Sequence, residues 1–246
     1  MKLVLISDSH SWNNELEIPD GDVLIHGGDL TRSGSEKEVK SALEWLSSLP
    51  HKHKVFIAGN HDFFFDSSYK AYTPQGKSRH SSRKFGTKEE IEKILSEHPD
   101  LIYLNDSFIE VAGMKIWGSP ITPWFHDWAF NRERGEDILK HWKLMPEEFD
   151  ILVTHGPPYG ILDKTIRGGE FVGCNDLLQE IIKRKIKLHI FGHIHEGRGA
   201  IYKKINEKND EMIFINASSI DENYDPFPKP YTIIETDNWE VLNGKR

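Results

Sequence analysis

The sequence contains very little cysteine, since Cys174 is the only one among its 246 residues. An internal disulfide framework is therefore excluded, and a reducing compartment is favoured, so we expect a cytoplasmic location. Long hydrophobic runs are also missing. The N-terminal apolar run covers only residues 3–6, which is too short for the core of a signal peptide or for a membrane span, and no membrane partner is expected.

An excess of basic charge is missing as well. The chain has 31 Lys and Arg residues against 39 acidic ones, and its formal net charge is −8. Such a balance offers no long positive track, so we expect no extended nucleic-acid partner. The length allows one large core, and no repeat, low-complexity tract or clear linker divides the chain. A single domain over residues 1–246 is therefore predicted.

Histidine is abundant, with 13 residues, and its placement relative to the predicted strands is informative. Five short, nearly unbroken apolar runs predict strands that are buried on both faces of a sheet. These runs are 3–6, 23–25, 55–58, 151–153 and 188–191.

The remaining segments predict helices and a second group of strands. Amphipathic patterns favour helices at 35–49, 87–97, 132–141 and 176–183, of which the first two begin with capping boxes. Further strands are expected at 108–111, 114–118, 199–205, 211–216 and 231–236, with a turn at Asn209-Asp210. Two sheets packed face to face, with helices outside, would satisfy both patterns.

Each of the five buried strands is followed by His, Asp or Asn residues. Because ligands bind beyond the carboxyl ends of parallel strands, we expect these side chains to converge. Residues two apart on an extended chain point to the same side, so motifs of the form Asp-x-His and His-x-His can aim two side chains at one place. The five motifs are Asp8-Ser9-His10, Gly27-Gly28-Asp29, Gly59-Asn60-His61-Asp62, Thr154-His155-Gly156 and Gly192-His193-Ile194-His195.

This set offers nitrogen and oxygen ligands and no thiolate. Such donors suit Mn, Fe, Zn, Ni or Co rather than an iron–sulfur cluster. The groups exceed what one first-row ion needs, which predicts two divalent ions, with Mn first among them. Two ions about 3.5–4 Å apart can activate a water and clamp the oxygens of a phosphoryl group.

The order of the five motifs resembles the calcineurin-like metallophosphoesterase superfamily. Further segments are similar to its metallophosphoesterase-domain-containing (MPPED-type) subfamily, and the likeness runs from Lys2 to about Thr236, weakest between residues 63 and 98. Those segments are Gly118-Ser119-Pro120, Pro123-Trp124-Phe125, Asp127-Trp128, Phe130-Asn131, Thr154-His155-Gly156-Pro157-Pro158, His195-Glu196-Gly197 and Ile215-Asn216-Ala217-Ser218.

The resemblance implies an α/β fold, namely a four-layer α/β/β/α sandwich of two mixed sheets with a dinuclear metal centre between the sheet edges. A hydroxide bridging the ions would attack phosphorus in line. His61 would protonate the leaving oxygen or stabilise the transition-state charge, and Asp62 would hold His61 in orientation. The implied ligands are Asp8, His10 and His195 for the first metal, Asn60, His155 and His193 for the second, and Asp29 as the bridge. Some members of the subfamily lack the histidine equivalent to His193, so its presence favours a complete second site.

Substrate contacts are less specified by the sequence. Three roles are open for His26: it supports the metal ligands from behind, it faces the substrate, or it is structural. Trp124 and Phe125 belong either to the core or to the wall of a pocket for an aromatic group. The connection 66–88 is basic and aromatic, and is either a flap that meets phosphate or a solvated loop, while Arg167 is a further candidate for phosphate binding.

These observations predict a phosphodiesterase that acts on small nucleotide-like or cyclic phosphodiesters. A phosphomonoesterase or protein phosphatase is the alternative. The absence of Lys and Arg from the five motifs disfavours it, although Arg167 and the basic connection keep it open. A nuclease ranks third, and a non-catalytic scaffold is disfavoured because the ligand set is complete. The sequence leaves the oligomeric state open.

Overall fold

The computed structural model of the protein describes residues 1–69, 83–207 and 211–243. Within these ranges the chain forms two six-stranded sheets and a small two-stranded one. The first sheet comprises β1 (Lys2–Ile6), β2 (Val23–His26), β3 (His53–Phe56), β4 (Leu101–Tyr103), β13 (Thr232–Glu235) and β14 (Glu240–Asn243). The second comprises β5 (Ser107–Val111), β6 (Met114–Ser119), β9 (Ile151–Thr154), β10 (Leu188–Phe191), β11 (Gly199–Lys203) and β12 (Met212–Asn216), and the small sheet pairs β7 (Thr122–Pro123) with β8 (Asn131–Arg132).

Both large sheets are mixed, with four parallel strands adjoining antiparallel ones. The order is β14-β13-β1-β2-β3-β4 in the first and β11-β12-β10-β9-β6-β5 in the second. In the first sheet, β1 to β4 are mutually parallel and β13 runs antiparallel to β1. In the second sheet, β12, β10, β9 and β6 are parallel, while β11 and β5 pair antiparallel at the edges. The parallel strands of each sheet end at one edge.

The helices are α1 (Glu36–Ser48), α2 (Lys88–Ser96), α3 (Glu136–Trp142) and α4 (Asn175–Ile182). The predicted capping boxes are present, with Ser35 and Glu38 at α1 and Thr87 and Glu90 at α2. Among the described residues, no helix is both long enough and apolar enough to span a bilayer.

Alternating strand residues build the layers. Leu3 and Leu5 of β1 join Ile190 of β10 in a core between the two sheets. Their neighbours Val4 and Phe191 belong instead to a second apolar cluster, which includes the buried faces of α1, α3 and α4. Because successive strand residues point to opposite faces, each sheet packs on its partner sheet and on helices. The predicted four-layer α/β/β/α sandwich is confirmed.

Several predicted boundaries differ from the structure. The helix predicted at 132–141 begins only at Glu136, because Arg132 belongs to β8 and Gly135, at φ 86°, breaks the chain direction before the helix. The strand predicted at 55–58 ends at Phe56, where the chain turns toward Gly59. Strands β4 and β14 are not predicted from sequence. The turn at Asn209-Asp210 and residues 70–82 of the basic connection lie outside the described residues.

Candidate metal centre

The candidate ligands meet where the carboxyl edges of the two sheets face each other. Asp8, Asp29 and Asn60 follow β1, β2 and β3 of the first sheet, and His155 and His193 follow β9 and β10 of the second. Within each of three groups the ligand atoms all lie within 4.8 Å of one another, and Asp29 belongs to two of them. The groups are Asp8, His10 and His195; His10, Asp29 and His61; and Asp29, His155 and His193.

The distances place Asp29 in the middle of the cluster. Its Oδ2 lies 3.2 Å from His155 Nε2 on one side and 3.6 Å from His10 Nε2 on the other. Asn60 Oδ1 is 2.8 Å from the same His155 nitrogen. On the far side of His10, the Nε2 of His195 lies 3.4 Å from Asp8 Oδ1. One carboxylate is thus shared between two sets of donors.

Backbone carbonyls orient three of these imidazoles. The Nδ1 atoms of His10, His155 and His195 lie 3.2, 3.0 and 3.0 Å from the carbonyl oxygens of Thr31, Gly27 and Asp221. Since a carbonyl can only accept, each Nδ1 carries the proton and each Nε2 faces the cluster. This second hydrogen bond is typical of histidines that bind metals.

Unusual backbone geometry accompanies the ligands. Asp8, His10, Asp29 and His193 all have positive φ, between 41° and 68°. Residues other than glycine seldom adopt this left-handed region, and such conformations cluster at functional sites. The tight turns after the strands impose it, and they bring the side chains back over the sheet edge.

Two glycines permit the close approach of the loops. A Cβ added at Gly59 would lie 2.3 Å from Asp29 Oδ1, and one at Gly192 would lie 1.9 Å from Asp8 Oδ2. Neither distance is compatible with a side chain. The glycines in the motifs therefore leave room for the two carboxylates.

Burial and neighbouring charges prepare the donors electrostatically. Burial lowers the pKa of His10 and of His193 to about 3, so both rings are neutral and offer a lone pair. Burial alone would raise the pKa of Asp8, but the hydrogen bond and charge of His195 lower it below its ordinary value. Burial opposes ionisation of Asp29 in the same way, yet His155 holds its pKa well below the usual range.

His155 behaves differently because it faces Asp29 directly. Burial would lower its pKa, but the Asp29 carboxylate raises the pKa of His155 to about 9. The ring thus holds a proton between Asp29 and Asn60, and a divalent cation would take the place of that proton.

The donor set fits divalent metals. His10 Nε2 is buried and has no hydrogen-bond partner among the described residues, although it points toward Asp29. A buried nitrogen with a free lone pair, ionised carboxylates and an amide oxygen are ligands that first-row divalent ions accept. These residues can therefore hold the metals that the sequence predicts.

His61 lies beside this cluster, but its supports differ from the prediction. Its Nδ1 donates to the carbonyl of Arg32 at 2.9 Å, and Trp128 stacks on its ring at 4.2 Å. Asp62 does not contact the ring. Its carboxylate instead accepts hydrogen bonds from the backbone of Leu30, Thr31 and Gly59 and from the Thr31 hydroxyl.

The predicted role of Asp62 is therefore corrected. It ties together the loops that carry Asp29 and Asn60, and it makes no hydrogen bond to the His61 ring. Burial, with the nearby charge of Asp29, raises the pKa of Asp62 to about 7 against the hydrogen bonds that lower it.

His26 is also corrected. Its side chain is fully buried, with Nε2 3.1 Å from Ser9 Oγ, and Nδ1 accepts from Gly28 N. Burial lowers its pKa to about 4. A side chain with no exposed surface cannot touch substrate, so His26 supports the loops behind the ligands.

The other predicted substrate residues border two connected cavities. Phe125 and Arg167 line a cavity of about 530 Å³ over the cluster, which we call the open cavity. Trp124 lines a smaller cavity beside it, which Phe125 also borders. Tyr224 was not anticipated: its ring lies 5.0 Å from that of His10 and 5.3 Å from that of His195. No motif surrounds it in the sequence, so only the fold brings it to the site.

The described ends of the basic connection 66–88 serve structural purposes. Tyr69 stacks on Phe85 at 4.0 Å, and Lys84 pairs with Glu36 and Glu90. Arg83 lies over the ring of Phe63 and donates to the Ser33 carbonyl. Four other basic or aromatic residues of this connection lie outside the described residues, namely Lys70, Tyr72, Lys77 and Arg79.

Comparison with known proteins agrees with this geometry. Residues 1–197 match the family described as calcineurin-like phosphoesterase. The chain is 42% identical to the human and mouse proteins named Metallophosphoesterase domain-containing protein 1 over 234 residues, which cover 94% of this chain and 70% of each relative. The phosphopantetheinyl hydrolase PptH of Mycobacterium tuberculosis superposes with a TM-score of 0.63 over 98% of both chains, and at 12% identity this shows a shared fold alone. The chain belongs to the calcineurin-like phosphoesterase family, and within it to the MPPED-type proteins that carry the metallophosphoesterase domain.

Proposed function

We propose that this protein is a phosphodiesterase that uses two divalent metal ions to hydrolyse small nucleotide-like or cyclic phosphodiesters. The observation that carries the proposal is that Asp29 belongs to two groups of potential ligands, one with His155 and His193 and the other with His10 and His61. A single carboxylate between two nitrogen and oxygen donor sets is the arrangement that a two-ion phosphoesterase requires.

The ligand assignment that the family resemblance implies is compatible with these groups, and His61 is kept out of it as the proposed proton donor. We propose Mn²⁺ as the ion, with Fe, Zn, Ni and Co as alternatives that the same donors accept. When bound, two such ions would activate a water for attack and neutralise the oxygens of the phosphoryl group. The first would be held by Asp8, His10 and His195, the second by Asn60, His155 and His193, and both by Asp29.

His61 is suited to deliver a proton to the leaving oxygen. Its Nδ1 is held by the Arg32 carbonyl and its ring by Trp128, so Nε2 is the nitrogen left to exchange a proton. The backbone N–H of His61 donates to Asp29 Oδ1 at 2.7 Å, and this hydrogen bond holds the His61 backbone next to the ligand cluster. A positioned imidazole of this kind contributes about 10²–10⁴-fold to such reactions.

The charges around the open cavity favour a diester over a monoester. Besides the candidate ligand Asp29, three carboxylates line it together with Arg167, namely those of Glu170, Glu196 and Glu222. A diester carries one negative charge, whereas a monoester carries about two near neutral pH and meets more repulsion from this rim. Arg167 is the one observation that favours a phosphomonoesterase, which remains the second candidate.

A substrate panel with metal-reconstituted protein tests the proposal. An aryl phosphodiester, the matching aryl phosphomonoester and several cyclic nucleotides should be compared with Mn, Ni, Co and Zn. We expect the highest kcat/KM for a diester. A preference for the monoester would replace the proposal with the second candidate, and binding of metal without any turnover would indicate a non-catalytic scaffold.

The partner and the location are proposed on the same basis. We propose a small phosphodiester or nucleotide as the substrate, and neither extended nucleic acid nor membrane as a partner. The single cysteine, Cys174, is buried, which is compatible with a reducing cytoplasm. Fractionation of cells and a filter-binding assay with duplex DNA test these two points.

A further inference from the structure

A small apolar pocket opens beside the metal centre. Its volume is about 290 Å³, near the lower end of small-molecule pockets, which span about 300–1,000 Å³. We call it the side pocket. Its walls are largely apolar and include Pro123, Trp124, Phe125, Phe171, Val172 and Ile194.

Three polar side chains of the side pocket, those of Arg134, Thr165 and Cys174, already form hydrogen bonds with backbone groups. Arg134 donates to the carbonyls of Gly173 and Val172 at 3.0 and 2.9 Å. The Thr165 hydroxyl donates to a backbone carbonyl at 3.1 Å, and Cys174 Sγ accepts from a backbone N–H at 3.4 Å. Few hydrogen-bonding groups of the lining remain for a polar ligand such as a nucleobase, whereas an apolar group needs none.

Hydrophobic rings continue from the pocket to the surface. Phe125 and Phe171 are 57% and 51% exposed although they are large apolar side chains. They stand at the rim, next to the proposed reaction centre. An apolar substituent that enters the pocket would cover them and remove this apolar surface from water.

The side pocket adjoins the ligand cluster on the side away from His61. His193 lines both the side pocket and the open cavity, whereas His61, Trp128 and Tyr224 line the open cavity and not the side pocket. His61 groups with His10 and Asp29, whereas His193 groups with His155 and Asp29. A group seated in the side pocket therefore borders His193 and not the proposed proton donor His61.

We propose that the side pocket binds an apolar aryl or alkyl group on the phosphodiester, and that this is the ester group which stays on phosphorus. This inference rests on the proposed phosphodiesterase activity and deepens it for acyclic diesters that carry one apolar substituent. The leaving alcohol, which can be a nucleoside, occupies the open cavity near His61. In the reaction the oxygen of water forms a new P–O bond and the P–O bond to the leaving alcohol breaks. The leaving oxygen receives a proton from His61, and water supplies the proton that restores it.

The direction of cleavage is the first test. Benzyl methyl phosphate carries two alcohols of similar leaving ability, so the enzyme rather than the chemistry decides which one departs. We expect benzyl phosphate and methanol as products, which ³¹P NMR distinguishes from methyl phosphate and benzyl alcohol. Formation of methyl phosphate, or an equal mixture, overturns the placement of the apolar group.

Rate and binding provide the second test. With 4-nitrophenolate as the common leaving group, kcat/KM should be about 10- to 100-fold higher for the phenyl diester than for the methyl diester. Calorimetry should show benzyl phosphate binding more tightly than methyl phosphate by a similar factor, independently of turnover. Equal kcat/KM values for the phenyl and methyl diesters, together with equal affinities for benzyl and methyl phosphate, refute the inference and leave the phosphodiesterase proposal intact. Failure to hydrolyse any diester refutes the phosphodiesterase proposal itself.

Two variants locate the preference. Phe171→Ala removes an exposed wall of the side pocket and should lower the phenyl-to-methyl ratio roughly fivefold. Tyr159→Ala is the matched control, because Tyr159 is also exposed and lies 6.1 Å from the Phe171 ring, but does not line the pocket. A change of the ratio in the control alone, or in neither variant, assigns the preference elsewhere and overturns the inference.

Discussion

Replacing Asp62 by Asn distinguishes whether this buried carboxylate holds His61 or holds the loops that carry the ligands. Its Oδ1 accepts from Thr31 N at 2.9 Å and from the Thr31 hydroxyl at 2.7 Å, and its Oδ2 accepts from Leu30 N at 3.1 Å and Gly59 N at 2.8 Å. All four partners donate. An amide NH₂ at either position therefore faces at least one backbone N–H that can only donate.

The least costly orientation places the NH₂ beside Thr31. The Thr31 hydroxyl can then accept from the amide and keep its own bond to the His61 carbonyl, 3.3 Å away. The Thr31 N–H remains unpaired, which costs about 1–3 kcal/mol for a buried group. Since the adjoining loops carry Asp29 and Asn60, we also expect metal affinity to fall about 10- to 100-fold, as is usual for residues that support metal ligands.

Two assays measure these effects at pH 8. Urea unfolding of the metal-free protein gives the loss of stability, and calorimetric titration with Mn²⁺ gives the loss of affinity. At saturating metal, kcat should fall less than about tenfold, because His61 is still held by the Arg32 carbonyl.

The matched control is Asp106→Asn. That carboxylate accepts from Ser119 Oγ and contacts His141 without touching a candidate ligand, so its loss should alter stability and leave metal affinity unchanged. Wild-type metal affinity in Asp62→Asn, combined with a fall in kcat beyond about 100-fold, would refute our account and restore the role predicted from sequence.

Three further predictions follow from the geometry. His61→Ala should lower kcat about 10²–10⁴-fold. Metal affinity should stay nearly unchanged, because the backbone N–H that donates to Asp29 is retained. Steady-state kinetics measures the first effect and calorimetry the second, and an unaltered kcat contradicts the role of His61. Burial lowers the pKa of His189 to about 3. Between pH 6.5 and 3 this side chain is therefore protonated in the unfolded chain but not in the folded protein. The folded protein loses stability as the pH falls through that window. This histidine should contribute about 2 kcal/mol to the stability lost between pH 8 and pH 5, and urea titrations of His189→Gln should show a correspondingly smaller loss. Gly59→Ala places a Cβ 2.3 Å from Asp29 Oδ1 and should abolish tight metal binding. Gly156→Ala is the control, because its Cβ meets only a methyl group at 3.6 Å, and this variant should bind metal normally. Equal metal affinities of the two variants in calorimetry would show that the loop at Gly59 relaxes.

Much of the fold could be predicted because its signals are local. The apolar runs at 3–6, 23–25, 151–153 and 188–191 are strands, since a strand buried on both faces needs an unbroken apolar segment. The capping boxes at Ser35 and Thr87 likewise mark real helix starts. The segment at 132–141 misled because its apolar spacing imitates a helix, whereas its first residues pair in the small sheet.

The candidate site could be predicted in its members but not in its supports. Residue type and position after a strand identify Asp29 and His155 as neighbours in space. Most of the hydrogen bonds of Asp62 could not be foreseen, because they come from Leu30 and Thr31, which are 32 and 31 residues away and whose positions depend on loop packing. The burial of His26 and the approach of Tyr224 depend on the same long-range contacts.

The sequence by itself determined the periodicity of the strands, the helix caps and the order of His, Asp and Asn motifs, because each of these depends on neighbouring residues only. The tertiary structure decided that Asp8 and His195, which are far apart in the chain, lie 3.4 Å apart, because the parallel strands of two different sheets end at facing edges. It also decided which carbonyl orients each imidazole and where the side pocket opens. Those features arise from the packing of one sheet against the other, which no local pattern encodes.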